Sequence, residues 1–302
     1  MKKQMTQALL AGLLLSLSAS PILAKSQAEL GQDATQRAQR ETGRNVNAQR
    51  ERIEQEAIDA LMQTQAALAA LDKGDKKAAL DALAKATGKL ELLVSRHPKL
   101  GLIPVDITID QVDLIAPEKA IKEAIDEAED ALEDGEVQKA RHILQGLASE
   151  MVVRTTSIPL ATYPDAIKAV SPLIDAGKID EARDALIAAL NTLVVTEEII
   201  PLPVLRATIM LRDADALAQR PSRSDEDQKL LEALLDAAKA QIRYAELLGY
   251  GKHADYKPLY KEIGKIRKQV ANKQHGKGLF DRIREGLKAL GKHSQKTEGD
   301  AS

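Results

Sequence analysis

Apolar residues recur at helical spacing through the middle of the chain, and three glycines interrupt the pattern. Gly74, Gly135 and Gly177 each separate two such stretches. After each glycine, apolar residues follow at offsets of 5, 9, 12 and 16, and these steps of 4, 3 and 4 trace one stripe of a helix. The stripe comprises Ala79, Leu83, Ala86 and Leu90, then Ala140, Leu144, Leu147 and Met151, then Ala182, Leu186, Ala189 and Leu193. The pattern predicts three helical hairpins, in which the glycine ends the first helix in a left-handed conformation.

An Ile-Pro pair follows each predicted hairpin. Pro159 and Pro201 both stand 24 residues after the preceding glycine, whereas Pro104 stands 30 residues after Gly74. Proline disfavours helix at the residue before it, so we expect a short extended exit from each hairpin. A helical hairpin cannot bury its apolar stripe alone, so the three repeat units should pack together.

Strand periodicity appears at residues 105–110. Val105, Ile107 and Ile109 alternate with polar residues, and the segment 152–158 is a suitable partner. The predicted fold is therefore mainly α: repeated antiparallel helical hairpins packed as a bundle or short solenoid, with a minor two-stranded β-ribbon near 105–110. Pro172 should kink or split the helix predicted at 165–176.

The chain beyond residue 203 differs from the repeats. Residues 204–250 predict additional helices packed on the hairpin domain of residues 51–203, with Ser224 as an N-cap and Asp227 at N3. Residues 251–302 contain 13 Lys and Arg against 6 Asp and Glu, and predict a basic tail with a short amphipathic helix at 279–290. That helix could contact an anionic membrane surface or an acidic partner, dock on the acidic body, or remain solvated.

The N-terminus has the pattern of an export signal. Lys2 and Lys3 precede a short apolar run at 9–17, and cleavage after Ala24 would remove residues 1–24. The run is too short for a stable transmembrane helix, so we expect a secretory signal peptide and a periplasmic location. Residues 25–50 are polar and rich in Gln and Arg, and predict a flexible leader or a frayed helix.

The chemistry-bearing residues form no recognisable catalytic motif. The chain has no cysteine, which excludes disulfides, thiolate nucleophiles and Cys-zinc sites. None of the five histidines has the spacing of a metal motif; they are His97, His142, His253, His275 and His293. Eight of the fourteen residues at 123–136 are acidic, but they lack the order of a calcium loop and predict a solvated helix face. We therefore predict no catalytic, cofactor-binding or metal-binding residue, and no cofactor.

The composition restricts the partners further. Aromatic residues make up 2% of the chain, so alanine and leucine must build the core. So few stacking side chains disfavour nucleic acid as a partner.

The segment "IAPEKAIKEAIDEAEDALEDGEVQKARHILQGL" and its continuation through the Ile-Pro-Leu exit resemble the YfdX family. The resemblance covers about residues 52–205 and depends on the A-P-E-K helix start at 116–119, the glycine turns and the "GKIDEA" turn at 177–182. Pro172 interrupts a helix expected to be continuous, and residues 206–302 lie beyond the resemblance.

The resemblance implies an exported bacterial helical protein associated with survival of acid, heat and drug stress. It also implies homo-oligomers and a chaperone-like or ligand-binding role. Our leading hypothesis is a non-catalytic periplasmic protein that binds apolar surfaces of unfolding clients. The alternatives are a binder of small amphipathic molecules in a groove between hairpins and an enzyme of unrecognised type.

Overall fold

The computed structural model describes residues 26–272 and 278–293, and the predicted signal peptide lies outside these ranges. The described chain is mainly helical with a small antiparallel sheet. The elements in chain order are α1 (Gln27–Arg50), α2 (Gln55–Asp72), α3 (Lys76–Arg96), β1 (Leu102–Val112), α4 (Glu118–Glu133), α5 (Val137–Gln145), β2 (Glu150–Pro159), α6 (Tyr163–Lys168), α7 (Val170–Asp175), α8 (Ile179–Leu190), β3 (Val194–Pro201), α9 (Leu202–Ala218), α10 (Asp225–Leu247), α11 (His253–Ala271) and α12 (Asp281–His293). Within these residues, no helix combines the length and apolar character that a membrane span requires.

The predicted repeat is present as a helical hairpin followed by a strand, but the predicted helical stripe is too long in two units: Met151 lies in β2, and Leu193 lies beyond the end of α8. Gly74, Gly135 and Gly177 have φ angles of +74°, +76° and +75°, as expected for left-handed residues at helix ends. Pro159 and Pro201 are the last residues of β2 and β3. Pro104 differs, because it is the third residue of β1 and adjoins an irregularity in the strand register.

The sheet contains three strands instead of the predicted two. β1 pairs antiparallel with β2, as predicted, and β2 pairs antiparallel with β3 in the order β1-β2-β3. The sequence of β3, "VVTEEIIP", has apolar pairs at both ends and no alternation, so its pattern did not indicate a strand.

Two helical cores lie at opposite ends of this sheet. The first core joins α2, α3 and α6–α8 to the start of β1 and the end of β2. The second core joins α1 and α9–α12 to the start of β2 at Met151. A smaller cluster of Val46, Ile107 and Val153 lies at the middle of the sheet between them.

The proline in the third unit splits its first helix as predicted. α6 ends at Lys168 and α7 begins at Val170. Pro172 has no N–H to donate to the carbonyl of Lys168 four residues earlier, so the helical hydrogen-bond ladder is broken there.

Of the two alternatives predicted for residues 25–50, a flexible leader or a frayed helix, the structure has a helix. Residues Gln27–Arg50 form α1, whose start is fixed by Ser26: the N–H of Glu29 donates to Ser26 Oγ at 3.2 Å. The buried side chains of α1 are Leu30, Ala34, Ala38, Thr42 and Val46. Because most of this stripe is alanine or threonine on a strongly polar helix, its apolar signal in the sequence was weak.

Of the alternatives for the basic segment from residue 251, the structure has the docked one. α11 and α12 complete the second core, in which Tyr256, Phe280, Ile283 and Leu287 are buried. The amphipathic helix predicted at 279–290 is present as α12, but its apolar face packs inside the chain. Membrane contact through that face would require it to leave the core. The segments 273–277 and 294–302 lie outside the described residues.

The packing of α1 can be tested by placing a charge on its buried face. Ala38 is fully buried, so Ala38→Asp should lower the free energy of unfolding by at least about 2 kcal/mol through burial of an unpaired carboxylate. Gln36→Asp on the exposed side of the same helix should change it by no more than about 0.5 kcal/mol. Urea denaturation measures both, and equal effects would contradict the packing of α1.

The glycine turns can be tested by alanine substitution. Gly177→Ala should destabilise by about 1–2 kcal/mol, because an L-residue is strained at φ +75°. Gly88→Ala, in the interior of α3 with open space around the added methyl, should stabilise by about 0.5–1 kcal/mol. Thermal and urea denaturation should show opposite signs for the two variants; stabilisation by Gly177→Ala would contradict the turn assignment.

Candidate interaction surface

The prediction that all three units pack together was wrong for the second hairpin: α4–α5 lies apart from the first and third hairpins, whose residues form the first core. β1 leads away from the first core and β2, which is antiparallel to it, leads back. Because α4 and α5 lie between these strands in the chain, they are at the opposite end of the sheet from the first core. Within this hairpin, Ile121, Ala128, Ala131 and Ala140 are buried. The tip is closed by the N–H of Glu136, which donates to the carbonyl of Ala131 at 2.7 Å.

Equivalent leucines of the three units have very different surroundings. Leu83 and Leu186, nine residues after their glycines, are fully buried in the first core, where α3 packs against α6 and α7, and α2 packs against α8. Leu144 at the same offset is 48% exposed. The first and third hairpins therefore cover each other's stripes, whereas in the second unit Leu144 stays exposed although Ala140 and Met151 of the same stripe are buried.

We call the exposed apolar side chains of this hairpin the hairpin face; it consists of Leu132 (51% exposed), Val137 (56%) and Leu144 (48%). Val137 and Leu144 lie on one stripe of α5 with the buried Ala140, and Leu132 lies on one stripe of α4 with the buried Ala128. The hairpin face is thus the uncovered margin of the apolar contact between α4 and α5.

Carboxylates dominate α4 and the hairpin tip next to the hairpin face, whereas α5 itself carries Lys139 and Arg141 and no carboxylate. Residues 118–147 contain nine Asp and Glu against four Lys and Arg. Lys139 lies 3.6 Å from both Glu127 and Glu136, which accounts for one of the cations. Five further carboxylates of the hairpin have no ion-pair partner in the described part of the chain: Asp126, Glu129, Asp130, Glu133 and Asp134. The surface is therefore an apolar strip with an acidic rim.

Buried polar contacts fix the base of this hairpin to the second core. Asp113, just before α4, accepts from Arg206 Nη2 at 2.5 Å and from Ser149 Oγ at 3.0 Å. The hydroxyl of Tyr244 donates to the carbonyl of Leu114 at 2.8 Å. Because Arg206 is itself buried, this ion pair is held in a fixed geometry. The hairpin is therefore anchored at its base, and its tip carries the uncovered side chains.

A polar groove of about 630 Å³ runs between α4, α10 and α11. Glu246 accepts from the hydroxyl of Tyr260 and contacts the ring of His253, while Arg243 Nε lies 2.8 Å from a carboxylate oxygen of Glu118. Burial, with a further contribution from the Glu246 carboxylate, raises the pKa of Tyr260, so its hydroxyl keeps the proton that it donates. The groove is also lined by Lys122, Lys239 and Leu247. Its chemistry suits a small anion with an apolar part.

The family model described as YfdX protein matches residues 60–199. Over residues 60–199 this chain is similar to the YfdX family. The match runs from within α2 into β3, so it contains the turns of all three hairpins and the whole of α4–α5. Helices α1 and α9–α12 of the second core lie outside the YfdX match.

The other comparisons add little to the YfdX assignment. The solved structure of Salmonella Typhi YfdX aligns at 18% sequence identity over 50% of this chain and 93% of that chain, with a TM-score of 0.35. So low a TM-score carries no argument about the fold. No curated protein matches the chain.

The histidines are distributed over separate places in the structure. His97 contacts Glu54 at the end of α3, His253 contacts Glu246, and His142 is exposed on α5. Among residues 26–272 and 278–293, no three His, Asp or Glu side chains are placed to hold a metal ion. The side chains of His275 and His293 lie outside the described positions.

The amino-acid sequence of this chain did not identify the hairpin face. Its residues fit the same helical stripe as their buried counterparts, and a stripe does not show which neighbour covers it. The one available signal was charge, because the acidic run at 123–136 is confined to the second unit.

Proposed function

We propose that this chain is a non-catalytic stress-protection protein of the periplasm that binds apolar segments of unfolding client proteins at the hairpin face. The observation that carries the proposal is the exposure of Leu132 and Leu144, whose equivalents in the other two hairpins are buried, together with the exposed Val137 beside them. The match of residues 60–199 to the YfdX family supports the same proposal, because the resemblance to this family implies a role in stress survival. The periplasmic location rests on the export signal at residues 1–24.

The physical basis is the free energy of burying apolar surface. Each of the three side chains is about half exposed, and covering them removes apolar area from water at roughly 25 cal/mol per Å². A surface of this size supports weak, reversible contact with a flexible segment better than a permanent complex. Reversible contact is what a client-binding protein without an energy source requires.

A second candidate function is binding of a small amphipathic anion in the groove between α4, α10 and α11. The observation that favours it is the combination of Lys122, Lys239 and Leu247 in one open groove. The carboxylates that line the groove already have partners: Glu118 contacts Arg243, and Glu246 contacts His253 and Tyr260.

The client-binding proposal predicts that the protein suppresses aggregation of an unfolding client at near-stoichiometric amounts. The combined variant Leu132→Gln, Val137→Gln and Leu144→Gln should lose most of this effect, because it removes the apolar strip without opening a core. Light scattering of a heat-denatured or acid-denatured client measures the suppression.

A matched control replaces three comparably exposed apolar residues elsewhere: Met62→Gln, Ile187→Gln and Val195→Gln. This control should retain wild-type suppression, and both variants should keep the wild-type circular dichroism spectrum. Failure of the wild-type chain at neutral pH, in acid and on heating would overturn the proposal. If both variants lost aggregation suppression equally, the hairpin face would not be the client-binding surface.

A further inference from the structure

The fold itself shows what can cover a hairpin stripe. In the first core, the stripe of α3 is covered by α6 and α7, and α8 packs against α2. In each case the covering element is a helix that supplies Leu, Ile or Ala side chains. Because α4–α5 belongs to the same repeat, its uncovered stripe has the shape that accepts a helix.

Charge distinguishes the second hairpin from the other two. Residues 55–96 of the first hairpin contain six acidic and six basic residues, and residues 163–190 of the third contain five and three. Residues 118–147 contain nine and four. The two hairpins that cover each other are therefore nearly neutral, and the uncovered one is strongly acidic.

This charge decides between two helical occupants. A second copy of α4–α5 would bring two acidic hairpins together, and like charges across a contact are unfavourable. A basic helix would instead bring its cations to the tip of the hairpin, where Asp130, Glu133 and Asp134 lie within three residues of Leu132 in the sequence. Complementary charge both attracts such a partner and orients it on the strip.

The spacing of the hairpin face sets the form of the partner. Val137 and Leu144 are seven residues apart on α5, which is two helical turns or about 10 Å. A helix lying along this strip would present apolar residues at i, i+3 or i+4 and i+7, with Lys or Arg on the flanks.

We propose that the hairpin face binds cationic amphipathic helices, including such segments of unfolding proteins. This inference deepens the proposed function, because it uses the same surface and names the class of segment that the surface selects.

The test measures binding of labelled peptides to the chain of residues 25–302 by fluorescence anisotropy. Three peptides of about 18 residues are compared: an amphipathic Lys/Leu helix, the same helix with every Lys replaced by Glu, and a scrambled Lys/Leu peptide without an apolar face. The amphipathic cationic peptide should bind at least about 10-fold more tightly than either of the others. Its affinity should fall several-fold between about 20 mM and about 500 mM salt, because salt screens exposed charges.

Two charge variants locate the effect. The hairpin variant is Asp130→Asn, Glu133→Gln, Asp134→Asn and Glu136→Gln. The control variant removes four exposed carboxylates from other helices: Asp81→Asn, Asp175→Asn, Asp184→Asn and Glu285→Gln. The hairpin variant should bind the cationic peptide at least about 5-fold more weakly, and the control variant should bind within about 2-fold of wild type.

The outcomes separate this inference from the proposed function. Equal affinity for the Lys and Glu amphipathic peptides, with client suppression intact, would overturn the charge selectivity and leave the proposed function standing. Charge-selective peptide binding without suppression of client aggregation would overturn the proposed function and leave the charge selectivity standing. Absence of peptide binding, with a dimer in sedimentation that the Leu132, Val137 and Leu144 variant abolishes, would show that a second copy covers the face and would overturn the inference.

Discussion

The structure depends on one constraint: a hairpin of two helices has an apolar stripe that it cannot cover by itself. The first and third hairpins cover each other's stripes, so Leu83 and Leu186 are both fully buried in the first core. Residues at the start of β1 and the end of β2 pack in this core as well, so the sheet and the hairpins stabilise one another. In the second hairpin the same constraint is unmet within the described chain, and Leu144 stays half exposed.

Strand direction explains why the second hairpin is the one left uncovered. Consecutive strands β1, β2 and β3 are antiparallel, so successive hairpins must alternate between the two ends of the sheet. The first and third hairpins meet at one end. At the other end α4–α5 adjoins α1 and α9–α12, which form a core of their own and hold the hairpin through Asp113 and Tyr244 near its base. The tip of the hairpin, with its carboxylates, is thereby exposed to solvent.

Local features of this fold could be predicted from sequence because their causes are local. Gly177 has the left-handed conformation expected at a helix end, and Pro172 splits a helix because its nitrogen has no proton to donate. Features decided by distant neighbours could not be predicted. Ala38 on α1 and Phe280 before α12 acquire their role only when the second core assembles. Leu144 and Leu186 occupy the same position of the helical stripe, and their burial differs because helices of the first core pack around Leu186.

Thiol labelling tests the central claim most directly, because the chain contains no cysteine and each introduced thiol reports alone. Leu144→Cys and Leu186→Cys place a thiol at equivalent positions of the second and third hairpins. Under native conditions, the thiol at position 144 should react with a maleimide or disulfide reagent at nearly the rate of a free peptide. The thiol at position 186 should react at least about 100-fold more slowly, because a buried thiol is inert. Equal protection at both positions would contradict an uncovered hairpin face.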